Sequence, residues 1–198
     1  MQLRAPALLI ASRSHGETAV IARLLTEESG VVAAYVAGGR GRQLRPVVIP
    51  GNLVEAEVRA KSDSQLPFAR LELAQSRGPW LTEPLPASAI AWTCALTASV
   101  LPERNSYPTL YRALCALLDA ICNAPSARGW APALAAYEVL LLRELGYGGE
   151  KPRIAGLAQA LEILRANEAL IARYLLADTR ADVLAARALL MQRLERIA

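Results

Sequence analysis

A chain of 198 residues, 54% hydrophobic and 20% charged, can bury a sizeable core, which excludes a disordered or low-complexity protein. Its net charge of +4, from 22 Lys and Arg against 18 Asp and Glu, permits a polyanionic partner without demanding one. Three cysteines (Cys94, Cys115, Cys122) with no CxxC or CxxxC spacing, and the single histidine His15, offer no four-ligand zinc site, so no metal or other cofactor is expected.

The first eighty residues carry a strand rhythm. ALLIASR is a short apolar run, VVAAYVAG is rich in valine, and LVEAEVRA and PFARLELAQS alternate apolar with polar positions. Turn-forming residues fill 14–18, 26–30, 38–51 and 61–67 between them. Four or five short antiparallel strands in a segment of this length predict a small closed or nearly closed barrel, which also removes exposed strand edges. At Gly78 to Pro86, three prolines and a glycine in nine residues mark a boundary, giving a barrel domain over 1–80 and a helical domain over 81–198. The fold class expected is therefore α+β.

Beyond the boundary the period becomes helical. The apolar run Leu85 to Leu101 contains Pro86 and Trp92 and, at about 17 residues, reads as a core helix and not a membrane span. Ser106 is placed as the N-cap of a helix with Pro108 in its first turn and one apolar face from Tyr107, Leu110, Tyr111, Leu114, Leu117, Leu118 and Ile121. The next helix starts at Pro132 and is capped by Gly146. Two helices are expected in Ile154 to Leu176 with a break around Asn167, and a last one from Thr179 or Arg180 to Leu194, making an all-α bundle. Cys115 and Cys122, seven apart on one helix, read with Cys94 as buried thiols of a reducing compartment. The N-terminus makes a poor signal peptide, because Arg13 follows Arg4 so closely; a cytoplasmic location is expected.

The stretch AGGRGRQLRP holds the candidate site. Arg40, Arg42 and Arg45 are spaced for contacts with backbone phosphates, and Gly38, Gly39 and Gly41 allow close approach; a merely solvated loop is the competing reading. The stretch lacks the Lys followed by Ser or Thr of a nucleotide-hydrolase phosphate loop. Arg13, Arg59 and Lys61 are secondary candidates for the same basic face, and Arg4, Arg70 and Arg77 would widen it. Glu55, Glu57 and Glu72 alternate with the strand cations and argue equally for ordinary solvated strands. Phe68 is expected inside the barrel, Tyr35 either inside or out, and His15 in a turn. Neither a nucleophile nor a carboxylate pair accompanies His15, so no catalytic residue is assigned. Arg143, Lys151, Arg153, Arg165 and Arg173 could make a second basic surface, but Glu144, Glu150, Glu162 and Glu168 largely balance them.

Two stretches together resemble the RecO family of bacterial DNA-repair proteins. ALLIASRSHGETAVIARLLTEESGVVAAYVAGGRGRQ is similar to that family's opening, with GGRGR where the family places a basic loop, and YEVLLLRELGYG, Tyr137 to Gly148, is similar to its leucine-glycine-tyrosine helix end. Many members continue with a four-cysteine zinc element; here GEKPRIAGLAQALEIL has no cysteine, so the chain resembles a shortened member without the metal. The resemblance implies an oligonucleotide-binding (OB) barrel followed by a helical domain, and a non-enzymatic recombination mediator. It further implies binding of single- and double-stranded DNA, strand annealing, and work with RecR and the acidic C-terminal tail of single-stranded DNA-binding protein so that RecA is loaded. By position, Arg40, Arg42 and Arg45 fall in the basic loop, with Arg13, Arg59 and Lys61 as lesser contacts. A non-catalytic protein adaptor that does not touch DNA is the alternative, and it suits the modest net charge.

Overall fold

The structure, a computed structural model, describes residues 2–60, 62, 65–148, 152–177 and 181–197. The chain folds as two compact units, Met1–Thr82 with Leu101–Pro108, and Glu83–Val100 with Thr109–Ala198.

The first unit is built on five strands, β1 (Gln2–His15), β2 (Ala19–Thr26), β3 (Gly30–Val36), β4 (Leu53–Arg59) and β5 (Phe68–Gln75). They close in the order β1-β2-β3-β5-β4, with β4 pairing back onto β1. The antiparallel OB barrel expected from the sequence is corrected here. Five strands in a ring cannot alternate direction throughout, because an odd ring leaves one like-directed pair. That pair is β3–β5, which is parallel and bridged at the single register pair Tyr35↔Phe68. The wholly antiparallel fold type is therefore not what the chain adopts.

Period-two alternation assigns the faces. Val20, Ala22 and Leu24, Val32, Ala34 and Val36, Val54, Ala56 and Val58, and Ala69 and Leu71 form the interior, joined by Ala7 and Leu9 of β1. Beyond Leu9 the β1–β2 register shifts by one residue at Ile10, so that Leu9↔Leu24 is followed by Ala11↔Arg23 and then Ser12↔Ala22. This β-bulge reverses the facing of everything after it. Ser12 and Ser14 pair with inward residues, and Arg13 and His15 turn outward.

Residues 101–108 join the barrel unit through a parallel bridge of Glu103 to Val31, a 2.9 Å bond from the Arg104 N–H to the Val31 carbonyl, and a 2.8 Å Arg23–Glu103 ion pair. Ser106 is not the helix cap expected from the sequence: its hydroxyl donates to the Glu27 carbonyl at 2.9 Å, and the helix starts at Pro108. Gly30 is obligatory at this junction: its φ is +65°, and a Cβ there would lie 1.8 Å from the Asn105 carbonyl oxygen.

The second unit comprises α1 (Pro84–Val100), α2 (Pro108–Asn123), α3 (Ala131–Glu144), α4 (Leu157–Leu170) and α5 (Ala181–Glu195), with a π turn over Ile171–Leu175 continuing α4. Trp92, Trp130 and Tyr137 are fully buried. Serines and threonines in α1 satisfy their hydroxyls on carbonyls one turn back, as Thr93 does on Ala89 at 2.6 Å. Among the described residues no helix is long and apolar enough to cross a membrane. The break expected at Asn167 does not occur: α4 runs through it, because the buried Asn167 side chain is spent on Glu138 Oε2 at 3.3 Å and does not compete for the backbone. Glu138 also accepts from Trp92 Nε1 at 2.9 Å and from Arg187 at 3.2 Å. Burial pushes its carboxyl above the ordinary range, and the Arg187 guanidinium opposes that shift.

Candidate nucleic-acid interface

The arginine loop is folded, not loose. After Val36 the chain turns through Gly38 at φ +66°, and Gly39 presses on Val20 so closely that a Cβ would lie 2.6 Å from a valine methyl. The Arg40 N–H donates to the Thr18 carbonyl at 2.9 Å, and the Arg45 N–H to the Gly41 carbonyl at 2.9 Å. Leu44, Val47 and Val48 face the barrel core. Asn52 fixes the far end: its amide nitrogen donates to the Pro46 and Val47 carbonyls at 3.0 Å each, and its amide oxygen accepts the Arg77 N–H at 2.8 Å. With one side of the loop anchored, Arg40, Arg42 and Arg45 are left exposed on the other. Arg40 donates to the Glu17 carbonyl at 3.1 Å, tying the loop to the β1–β2 turn. Among the described residues no carboxylate engages Arg42 or Arg45, so their charge stays available to an outside anion.

Beside the turn lies a feature the sequence reading missed. Phe68, expected in the core, is 64% exposed, and Tyr35 is half-buried on the outer face. The rings of His15 and Tyr35 meet edge to face at 5.8 Å, and those of Tyr35 and Phe68 at 5.1 Å. Register explains the cluster. Arg13↔Ile21, Ile21↔Tyr35, Tyr35↔Phe68 and Phe68↔Arg59 are successive partners around the barrel, each step about 5 Å. Two predicted cations, Arg13 and Arg59, thus flank the aromatic group on one outward row. Alternation in PFARLELAQS was the signal that could have found it: with Ala69 and Leu71 inside, Phe68 must share the outer face with Arg70 and Glu72. His15 ends β1 and is not within the turn; its ring neighbour is aromatic, not a nucleophile or a carboxylate.

The remaining cations divide sharply. Lys61 lies outside the described residues. Arg77, expected to widen the basic face, is buried, with its guanidinium on the Gly51 carbonyl at 2.5 Å. Arg4 and Arg70 both stand opposite Glu57, with Glu55 and Glu72 in the neighbouring row, so this part of the barrel is balanced in charge and bounds the basic track. Glu57 also pairs with Arg59, which remains well exposed. In the helical unit Arg165 is held by Glu195 at 2.9 Å. No group of three or more His, Cys, Asp or Glu among the described residues could hold a metal ion.

Comparison with known proteins places both parts of the chain in one family. Residues 1–77 match the family model for the N-terminal part of recombination protein O, and residues 83–150 the model for its C-terminal part. The chain is 40% identical over 143 residues to the DNA repair protein RecO of Rhodospirillum centenum, covering 72% of this chain and 56% of that one. It is 37% identical over 149 residues to RecO of Caulobacter vibrioides, covering 75% and 60%, and 38% identical over 144 residues to RecO of Rhodospirillum rubrum, covering 71% and 57%. The chain thus spans 56–60% of the length of these curated relatives.

Proposed function

The chain belongs to the recombination protein O family, and from that premise we propose that it is a DNA-binding recombination mediator in DNA repair, acting at the nucleoid in the cytoplasm without bond-breaking chemistry. The observation that carries this reading is the exposed track running from Arg42 and Arg45, through Arg40 and the β1–β2 turn, to His15, Tyr35 and Phe68 with Arg13 and Arg59 on either side. Guanidiniums neutralise phosphates without reading sequence, and exposed ring faces stack on any base. That combination suits single strands. The arginine loop alone suffices for duplex phosphates, and lowering the repulsion between two strands while leaving their bases able to pair promotes annealing. Partners of this activity are RecR and the acidic C-terminal tail of single-stranded DNA-binding protein, with RecA loaded as the downstream result.

The test is fluorescence anisotropy with unrelated oligonucleotides over a range of salt. Wild type is expected to bind all of them with a steep, similar salt dependence. Phe68→Ala should weaken single-strand binding by about 1–3 kcal/mol and leave duplex binding nearly unchanged. Affinity indifferent to salt, or a triple Arg40, Arg42, Arg45→Ala variant that binds like wild type, would refute the track. No binding to any oligonucleotide would leave the adaptor reading, which the offsetting of Arg4 and Arg70 by Glu55, Glu57 and Glu72 favours.

A further inference from the structure

The helical unit carries a pair of aromatic rings that no part of the barrel track uses. Tyr147 and Tyr174 stack nearly parallel, with centroids 5.0 Å apart and planes at 12°, yet they are 47% and 42% exposed. Two local devices put them there. Helix α3 ends in a Schellman turn: the Gly146 N–H returns to the Arg143 carbonyl at 3.0 Å and the Tyr147 N–H to the Leu142 carbonyl at 2.8 Å, with Gly146 at φ +86°. On the other side the π turn after α4, closed by the Leu176 N–H on the Ile171 carbonyl at 3.0 Å, carries Arg173 and Tyr174; turns of this kind recur at functional sites.

Cations border the pair. The Arg173 guanidinium lies 5.2 Å from the Tyr174 ring centre. Gly148 rests against Arg143, where a Cβ would come within 2.9 Å of its side-chain stem. Both arginines are exposed, and among the described residues neither has an ion pair. Among the described residues, Glu168 is engaged by Arg187 at 3.3 Å, and Glu144 adjoins Arg143 in the chain without an ion pair to it. Stacked, exposed rings offer flat outer faces, and flat faces with adjoining guanidiniums match a base and its phosphates better than they match a peptide side chain.

We propose that Tyr147 and Tyr174, with Arg143 and Arg173, form a second single-strand contact on the helical unit, in which a nucleobase stacks on the tyrosine pair and the guanidiniums take the adjoining phosphates. The proposal rests on the DNA-binding reading and adds a site to it. Such a site gives the protein a hold on single strands that does not depend on the barrel, so one molecule has two places at which bases are held by their faces.

The experiment combines photocrosslinking of an oligothymidylate containing 4-thiothymidine with anisotropy on Tyr147→Ala/Tyr174→Ala and Tyr147→Phe/Tyr174→Phe, each first checked for an unchanged unfolding midpoint. Crosslinks in the peptides bearing Tyr147 or Tyr174 are expected. The alanine pair should lose about 5-fold or more in affinity, the phenylalanine pair should stay near wild type, and a strand abasic at its centre should be insensitive to both. Crosslinks confined to the barrel around Phe68, with the alanine pair at wild-type affinity, overturn this site and leave the barrel reading intact. Equal losses in the alanine and phenylalanine pairs exclude stacking. If the alanine pair binds DNA normally but loses an acidic peptide, the surface belongs to a protein partner and the proposal fails. No binding by the wild-type chain overturns both readings.

Discussion

Replacing Arg187 by methionine tests whether the helical unit depends on its buried ion pair. Arg187 is 3% and Glu138 1% exposed, and the substitution leaves Glu138 with two donors, Trp92 Nε1 at 2.9 Å and Asn167 Nδ2 at 3.3 Å. Breaking one partner of a buried pair costs about 3–5 kcal/mol; two surviving donors place this case toward the lower end, about 3 kcal/mol at neutral pH. The loss should also depend on pH. Glu138 titrates above its ordinary value because it is buried, and Arg187 restrains that rise. A carboxyl with a raised folded-state pKa stabilises the fold below the unfolded value and loses that contribution as pH climbs through the folded one. Without Arg187 the folded value rises further, so the lossy window extends upward, and the deficit relative to wild type should grow by up to about 1.4 kcal/mol per pH unit within it. Urea unfolding followed by the far-UV helical signal, from about pH 5 to about pH 8, measures this directly. A deficit below about 1 kcal/mol throughout, or one that does not change with pH, would refute the reasoning.

Three further substitutions probe the barrel unit. Arg42→Ala/Arg45→Ala should lower the slope of log affinity against log salt for single strands by about 1.4, two phosphate contacts' worth, seen in anisotropy titrations. Asn52→Ala removes the partner of the Arg77 N–H, the side-chain donor to the Pro46 carbonyl and one of two donors to the Val47 carbonyl, which keeps the Ile49 N–H; it should cost about 2–4 kcal/mol in chemical unfolding and speed amide exchange at Val47 and Val48. Gly30→Ala should cost about 1–3 kcal/mol from its backbone conformation alone, with the approach to Asn105 adding to it, as thermal unfolding will show.

Legibility in the sequence followed the range of the forces involved. The α3 cap at Gly146 was readable because a Schellman turn depends on a few adjacent residues. Strands β4 and β5 were readable because one face of each meets water. Strand β2 carried no comparable mark: AVIARLLT is buried at seven of its eight positions, so its alternation is erased. Asn167 looked like a helix breaker because its partner, Glu138, is 29 residues away in sequence. Composition alone drew attention to the arginine loop, but its rigidity comes from Asn52 and from Leu44, Val47 and Val48, whose roles appear only once the barrel exists. The outward row from Arg13 to Arg59 needed register across five strands, which no single segment encodes.

Ile10 gives the first strand one residue to spare. Delete it and the ladder closes without a kink: Leu9 still meets Leu24, Ala11 still meets Arg23, and Arg13 keeps its place opposite Ile21 on the wet side. A one-codon deletion there is consequently a mild lesion, whose main loss is the packing of a single isoleucine, and the guanidinium of Arg13 is never driven into a lumen lined by alanine, valine and leucine.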